Sequence, residues 1–123
     1  MKFHLDRATG NVFTGHGAGF VRIGEVEYRG NLVVTPERVI EGWGRGGFDA
    51  LAEQDFAALA ALAPEVALFG SGKTMRFPHP ALTRALADAG IGLEVMDTRA
   101  ACRTYNILAA EGRRVAAAIL LDG

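Results

Sequence analysis

The chain has 123 residues, of which 50% are hydrophobic, enough to build the core of one ordinary domain. We therefore expect residues 1–123 to form a single domain. With 13 basic and 14 acidic side chains, the net charge is close to zero. This balance argues against nonspecific nucleic-acid binding, which needs a strongly basic surface.

The amino-terminal stretch and the cysteine content predict a reduced, cytoplasmic protein. The opening sequence MKFHLDRATG is polar and does not show the basic and then apolar pattern of a secretory leader. A single cysteine cannot form an internal disulfide. The longest apolar runs are shorter than the ~20 residues that cross a bilayer. We expect no direct membrane insertion, and the sequence leaves the oligomeric state open.

The first half of the chain predicts an antiparallel meander of short strands. Residues 19–43, GFVRIGEVEYRGNLVVTPERVIEGW, carry β-branched and aromatic residues in short runs, which suit a pleated surface. Glycines and the Thr35–Pro36 step separate the runs. A glycine-rich loop is predicted at residues 42–47.

The second half alternates between helical and strand patterns. Helices are predicted for residues 52–64, 80–90 and 98–111. In the first of these, Phe56, Leu59 and Leu62 recur at helical spacing. In the last, Thr98 is positioned to cap the amino end of the helix.

Three short apolar runs predict buried strands around these helices: EVALFG, IGLEVM and RVAAAILL. The order strand, helix, strand, helix, strand is typical of parallel crossovers. The pattern therefore predicts an α/β domain with a carboxyl-terminal βαβαβ parallel part and an antiparallel meander before it.

The stretch FGSGKTMRFPHP imitates the phosphate-binding loop of a nucleotide triphosphatase. That motif requires its first glycine where Ala67 stands, and Pro78 and Pro80 limit any helix that begins at Lys73. Asp97, at the end of an apolar strand, is the one feature that suits such an enzyme. The sequence therefore favours a tight turn over a nucleotide loop.

Ligands of open parallel sheets bind beyond the carboxyl ends of the strands. At two such ends lies a candidate ligand or partner rim, formed by Gly70, Ser71, Gly72, Lys73, Arg76, Asp97, Thr98, Cys102 and Arg103. The amides of residues 70–72, the charges of Lys73 and Arg76 and the start of the third helix could hold an anion or a carboxylate. A plain turn with solvated Lys73 and Arg76 is the structural alternative.

Cys102 is the only candidate nucleophile of note. Near a helix amino end and beside Arg103, its thiol could have a depressed pKa, with His79 as the nearest plausible base. Cysteine also serves as a small apolar filler in an alanine-rich helix. We assign no catalytic residue. His4, His16 and His79 lack a ligand spacing, so no metal or other cofactor is predicted.

Other polar and aromatic residues favour structural roles. Thr104, Tyr105 and Asn106 are polar residues within a helix and are expected to hydrogen-bond to neighbouring loops and hold the rim, or to line a pocket. Trp43 is expected to pack inside the protein, although an exposed tryptophan would suit a partner surface.

The sequence MDTRAACRTYNILAAEGRRVAAAIL, with PEVALFGSGK upstream, resembles the small α/β family of unknown biochemical function that includes the mitochondrial respiratory complex I assembly factor 3 and bacterial and archaeal relatives. The resemblance covers the second half of the chain. It implies a three-layer fold with a mixed central sheet, a chaperone-like or scaffolding role for the mitochondrial member and no established catalytic activity. The expected lack of an arginine-rich transit segment indicates a bacterial, cytoplasmic relative.

Two hypotheses of function follow. The leading one is a non-enzymatic interaction domain that binds a protein partner and helps to assemble a membrane-bound respiratory or translocation complex. The alternative is a small-anion or small-ligand binding protein, or a weak enzyme, that uses the candidate rim. A ligand-binding protein needs a concave pocket with convergent polar groups, whereas an interaction protein needs exposed apolar surface.

Overall fold

The computed structural model describes residues 10–121. Its strands are β1 Phe13–Gly17, β2 Phe20–Ile23, β3 Val26–Tyr28, β4 Leu32–Val34, β5 Val39–Glu41, β6 Val66–Gly70, β7 Gly92–Met96 and β8 Val115–Ile119. Its α-helices are α1 Glu53–Ala61, α2 Arg84–Asp88 and α3 Thr98–Ala110. The short 3-10 helices Phe48–Ala50 and Pro80–Thr83 precede α1 and α2.

The strands form two sheets. Strands β1, β2 and β3 make an antiparallel sheet, called the small sheet below. The larger sheet has the order β5-β4-β8-β6-β7. Within it β6 pairs in parallel with β7 and with β8, and β4 pairs antiparallel with β5 and β8. The predicted α/β fold with a mixed central sheet and a parallel βαβαβ part is confirmed.

The central strands β6 and β8 are buried on both faces because the larger sheet lies between two cores. The prediction that β7 is also buried was wrong, since β7 is an edge strand and none of its residues is fully buried. Leu68 and Ala117 belong to the first core, which α3 and the small sheet cover. Phe69 and Ala118 belong to the second core, which includes residues of α1 and α2. Adjacent side chains of a strand point to opposite faces, so the two cores alternate along each strand. This arrangement gives the three layers that the resemblance implied.

The second core contains a cluster of aromatic rings. The rings of Trp43 and Phe56 meet edge to face with centroids 5.6 Å apart, and those of Phe56 and Phe69 are 5.7 Å apart. The indole Nε1 of Trp43 donates a hydrogen bond of 2.8 Å to the backbone oxygen of Asp55. Trp43 therefore packs inside the protein, as expected, and its polar atom is satisfied.

The predicted meander departs from the structure in two ways. It omitted β1, whose sequence FTGHG is rich in glycine and lacks a strand-like apolar run. It also placed β2 to β5 in one continuous meander. In the structure, the chain leaves the small sheet after β3 and enters the larger sheet at β4. The side chain of Asn31 contributes to this change, because it donates to the backbone oxygen of Gly44 at 2.8 Å and accepts from the amide of Leu121 at 2.7 Å.

The second predicted helix is interrupted. Residues 80–83 form a 3-10 helix and only Arg84–Asp88 are α-helical. Before this segment, the side chain of His79 accepts a hydrogen bond of 3.0 Å from the amide of Ala81. Pro80 occupies the first position of the 3-10 helix, where its lack of an N–H has no cost.

Candidate functional site

The structure brings the two predicted strand ends together with the end of β8. The amide of Ser71 donates to the carbonyl of Met96, and the amide of Thr98 donates to the carbonyl of Gly72, each at 2.9 Å. The amide of Leu120 donates to the carbonyl of Gly70, also at 2.9 Å. Backbone hydrogen bonds therefore join the carboxyl ends of β6, β7 and β8 at one edge of the sheet.

The hydroxyl of Thr98 lies at the centre of this junction. Its Oγ1 donates a hydrogen bond of 2.6 Å to the carbonyl of Leu120 and accepts one of 2.9 Å from the amide of Gly72. The prediction that Thr98 caps α3 was wrong. Asp97 is the capping residue, since its Oδ1 accepts from the amide of Ala100 at 2.8 Å. Thr98 is already helical, which leaves its hydroxyl available to the neighbouring strand ends.

The two glycines of the GSG turn have separate structural reasons. A Cβ on Gly70 would lie 3.0 Å from the Cα of Thr98 and from the Cβ of Ala101, so α3 packs directly on this position. Gly72 has a φ of 103°, a conformation that residues with a side chain rarely adopt. The turn is thus explained by packing and backbone geometry, and residues 71–79 form no helix of the nucleotide-loop type.

The expected anion-binding amides of residues 70–72 are not available. The amide of Ser71 is bonded to Met96, and the amide of Gly72 is bonded to the hydroxyl of Thr98. An anion would have to displace these internal bonds in order to use either amide. This part of the small-anion hypothesis was therefore wrong.

Arg76 is neither a solvated charge nor a wall of the cleft described below. Its Nη2 and Nε donate to the carbonyl of Ser71 at 2.7 and 3.1 Å. Its guanidinium lies 4.5 Å from the ring centroid of Phe48, a cation–π distance. The fully buried hydroxyl of Ser71 donates to the carbonyl of Thr74 at 2.7 Å and accepts from the amide of Arg76 at 2.8 Å. Arg76 and Ser71 thus fix the course of the loop after β6.

An open cleft of about 760 Å³ lies at the edge where these strands end. Its lining includes the end of β1 and the turn after it, residues 16–19, and also Gly72 and Lys73. The start of α3 at Asp97–Arg99 and the two leucines at residues 120–121 complete the lining. Of the predicted rim, Gly72, Lys73, Asp97 and Thr98 line the cleft.

Sequence reasoning missed several residues of this cleft, including His16, Arg99 and Leu121. Residues 16–19 are the end of β1 and the turn after it, and the glycine-rich sequence of β1 carried no strand signal. Arg99 directly follows two predicted rim residues, and its position in the first turn of α3 was the available signal.

Cys102 lies in the first core and not in the cleft. Its side chain is fully buried, and this burial raises the pKa of the thiol to about 12, although the charge of Arg103 acts in the opposite direction. The expectation of a depressed thiol pKa was therefore wrong. Arg103 is exposed, and the ring of His79 is occupied at the start of the 3-10 helix. Cys102 is a core residue.

Tyr105 and Asn106 join α3 to the small sheet. The side chain of Asn106 accepts from the amide of Phe13 and donates to its carbonyl, both at 2.8 Å. The hydroxyl of Tyr105 donates to the carbonyl of Asn11 at 2.8 Å. The expectation of hydrogen bonds to neighbouring segments holds for these two residues. Their partners lie at the start of β1, and not in the strand-end turns.

Within residues 10–121, no group of three or more His, Cys, Asp and Glu side chains is arranged to hold a metal ion. His4, one of the three scattered histidines, lies outside the described residues. None of the helices described is both long enough and apolar enough to cross a membrane.

Comparison with known proteins identifies relatives of the whole described fold. A family model described as "Protein of unknown function (DUF498/DUF598)" matches residues 13–120. An uncharacterized protein of Rhodobacter capsulatus is 41% identical over 108 residues, covering 86% of this chain and 81% of the relative. A crystal structure from Bordetella parapertussis superposes with a TM-score of 0.84 at 38% identity, covering 91% of this chain and 96% of the other.

A mouse protein is also similar. It is named NADH dehydrogenase [ubiquinone] 1 alpha subcomplex assembly factor 3, and it is 34% identical over 93 residues. The match covers 74% of this chain and 50% of the mouse protein. The chain therefore spans about half the length of this relative.

Proposed function

This chain belongs to the family of unknown function DUF498/DUF598, and from that membership we propose that it acts as an assembly factor for a membrane-bound NADH dehydrogenase. The observation that carries the proposal is the similarity to a protein named as an assembly factor of such an enzyme. An assembly factor works by contacts with protein subunits, so a protein partner follows from the same proposal. A lone cysteine suits a reducing compartment, and we propose the bacterial cytoplasm as the place of action.

Two structural observations support a role through protein contacts. Met75 and Phe77 are large apolar residues that remain exposed on the loop after β6, and exposed apolar groups favour contact with another protein. Cys102, the only candidate nucleophile, is buried, and the amides proposed for a small anion are bonded internally. The small-ligand alternative thus loses the amide donors on which it depended.

The proposal is tested by deleting the gene in the source organism. Membrane complexes are then separated by native electrophoresis and stained for NADH oxidation. We expect less fully assembled NADH dehydrogenase and an accumulation of subassemblies, because subunits that need the factor would remain unincorporated. Return of the gene on a plasmid should restore the complex. Unchanged amounts of assembled enzyme in the deletion strain would refute the proposed role.

A further inference from the structure

Two large apolar side chains are exposed on the loop that follows the cleft residue Lys73. Met75 is 54% exposed and Phe77 is 68% exposed. Both belong to residues 73–77, which we call the docking segment, and this segment begins with Lys73 in the wall of the cleft. Residues of this size are usually buried. An exposed pair within four residues of the cleft wall favours a binding surface over isolated surface residues.

The backbone of the docking segment is held in place from within. The hydroxyl of Ser71 bonds to the carbonyl of Thr74 and to the amide of Arg76. The guanidinium of Arg76 lies over the ring of Phe48. Pro78, two residues after Arg76, is buried. A fixed backbone presents Met75 and Phe77 to a partner with little loss of conformational entropy on binding.

The adjoining cleft carries positive charge that is not neutralised within the described residues. The ion pairs in this part of the chain are Arg22–Glu27, Arg29–Glu27 and Arg113–Glu65. Lys73 and Arg99, which line the cleft, take part in none of them. Asp97 is the acidic residue of the lining and caps α3 through its Oδ1, so two basic side chains against one carboxylate leave the lining with a net positive charge. The lining is therefore complementary to negative charge.

We propose that the cleft and the docking segment form one site for an acidic polypeptide segment that also carries apolar side chains. Carboxylates of the segment would face Lys73 and Arg99, and an apolar side chain would pack against Phe77. The inference rests on the proposed function, because the segment would belong to a subunit that the factor assists. It specifies where on this protein the subunit would bind and which chemical groups would bind it.

Other anionic occupants fit the site less well. Free phosphate is held best where backbone amides add to basic side chains, and the amides of Ser71 and Gly72 are already bonded. Anionic membranes are bound by clusters of several basic residues, whereas the cleft has Lys73 and Arg99. The near-neutral net charge of the chain opposes a nucleic acid. Neither a phosphate nor a lipid headgroup would use the apolar surface of Phe77.

The test is selection from a display library of random peptides on the immobilised full chain. We expect enriched peptides to contain several Asp or Glu residues and at least one large apolar residue. In fluorescence anisotropy, K73A/R99A should weaken binding of such a peptide about tenfold or more, and more salt should weaken wild-type binding. F77A should weaken it about fivefold or more, with less dependence on salt.

Matched controls replace similar side chains elsewhere. R38A/R84A removes two exposed arginines outside the cleft, and I107A truncates an exposed apolar residue near the carboxyl end of α3. Both should bind the selected peptide within about twofold of wild type, as expected for residues outside an interface. Failure to enrich acidic peptides, or equal binding by K73A/R99A, would overturn the proposal.

Two further measurements identify a different occupant. Sedimentation of the protein with anionic phospholipid vesicles, lost in K73A/R99A, would assign the site to a lipid surface and overturn the inference. A wild-type dimer in analytical ultracentrifugation that K73A/R99A dissociates would assign it to a second copy of this chain, with the same consequence.

The docking inference and the assembly role can fail separately. If the deletion strain is rescued fully by the triple variant K73A/R99A/F77A, the docking site is wrong and the assembly role stands. If deletion leaves the NADH dehydrogenase intact while acidic peptides bind through Lys73 and Arg99, the assembly role is wrong and the chemistry of the site stands.

Discussion

At the scale of single residues, Thr98 shows how much of the junction depends on one hydroxyl. Thr98→Val removes the donor to Leu120 and the acceptor for Gly72 while keeping the side-chain volume. We expect the free energy of unfolding to fall by about 2–3 kcal/mol, because two backbone groups lose their partner. Urea denaturation measures the change. Thr98→Ser keeps the hydroxyl and should cost less than about 1 kcal/mol, and a stable valine variant would contradict this account.

Cys102 makes stability depend on pH in the alkaline range. Burial raises the pKa of its thiol from 9.0 to about 12 in the folded protein. Below pH 9 both states keep the proton, and the full stability is present. Between pH 9 and about pH 12 the thiol ionises only in the unfolded chain, so the free energy of unfolding falls as the pH rises. Burial also raises the pKa of Tyr105, which extends the decline to higher pH.

The contribution of this thiol can be isolated with Cys102→Ala. Between pH about 8 and about 10, wild type should lose about 1 kcal/mol more unfolding free energy than the variant, since the alanine has no proton to release. Urea denaturation at the two pH values provides the comparison. Parallel losses in the two proteins would show that the thiol does not titrate in this way.

At the scale of elements, the small sheet is attached to α3 through side chains. Asn106 replaces a missing strand partner for Phe13, with one bond to its amide and one to its carbonyl. The rings of Phe13 and Tyr105 also meet edge to face at 5.3 Å. The small sheet therefore depends on the helix for its position, while the larger sheet is held by its own ladder.

This attachment predicts a local effect of Asn106→Ala. Unfolding free energy should fall by about 1–3 kcal/mol, because the backbone groups of Phe13 lose their partners. Amide hydrogen exchange should accelerate in β1 to β3 more than in β6 and β8. Thr104→Ala, two residues earlier on the same helix, is the control and should leave exchange in β1 unchanged. Uniform acceleration across both sheets would argue against a separate attachment.

At the scale of the whole molecule, two cores share the strands β6 and β8. Losing either core exposes one face of the same strands, so we expect residues 10–121 to unfold in one transition. Fluorescence of Trp43, the only tryptophan, reports on the second core. Its urea midpoint should coincide with that of far-UV circular dichroism and with loss of exchange protection at Tyr105 in the first core. Separate midpoints would contradict a single domain.

Local patterns were sufficient for part of this architecture. The strands β6, β7 and β8 and the length of α3 could be predicted, because apolar runs and helix ends leave signals within a few residues. The burial of β7 was predicted wrongly, because an apolar run does not tell a central strand from an edge strand. The bonds that organise the site join distant residues. Thr98 meets Leu120 across 22 positions, and Asn106 meets Phe13 across 93. No periodicity encodes such pairs. The hydrogen bond from the Gly72 amide to Thr98 and the position of residues 16–19 beside the strand ends were therefore missed.

The central strand β8 consists largely of alanine. Ala116 and Ala118 contribute a methyl group to one core, and Ala117 contributes one to the other. With so little side chain on either face of β8, the two cores are filled mainly by larger residues of the other strands and of the outer layers. Because both faces of the central strands are covered, we expect a partner to be recognised at the margins of the sheet, where the strands stop. Evolution of new specificity in this fold would accordingly proceed by exchanging a few surface residues there, without repacking the interior.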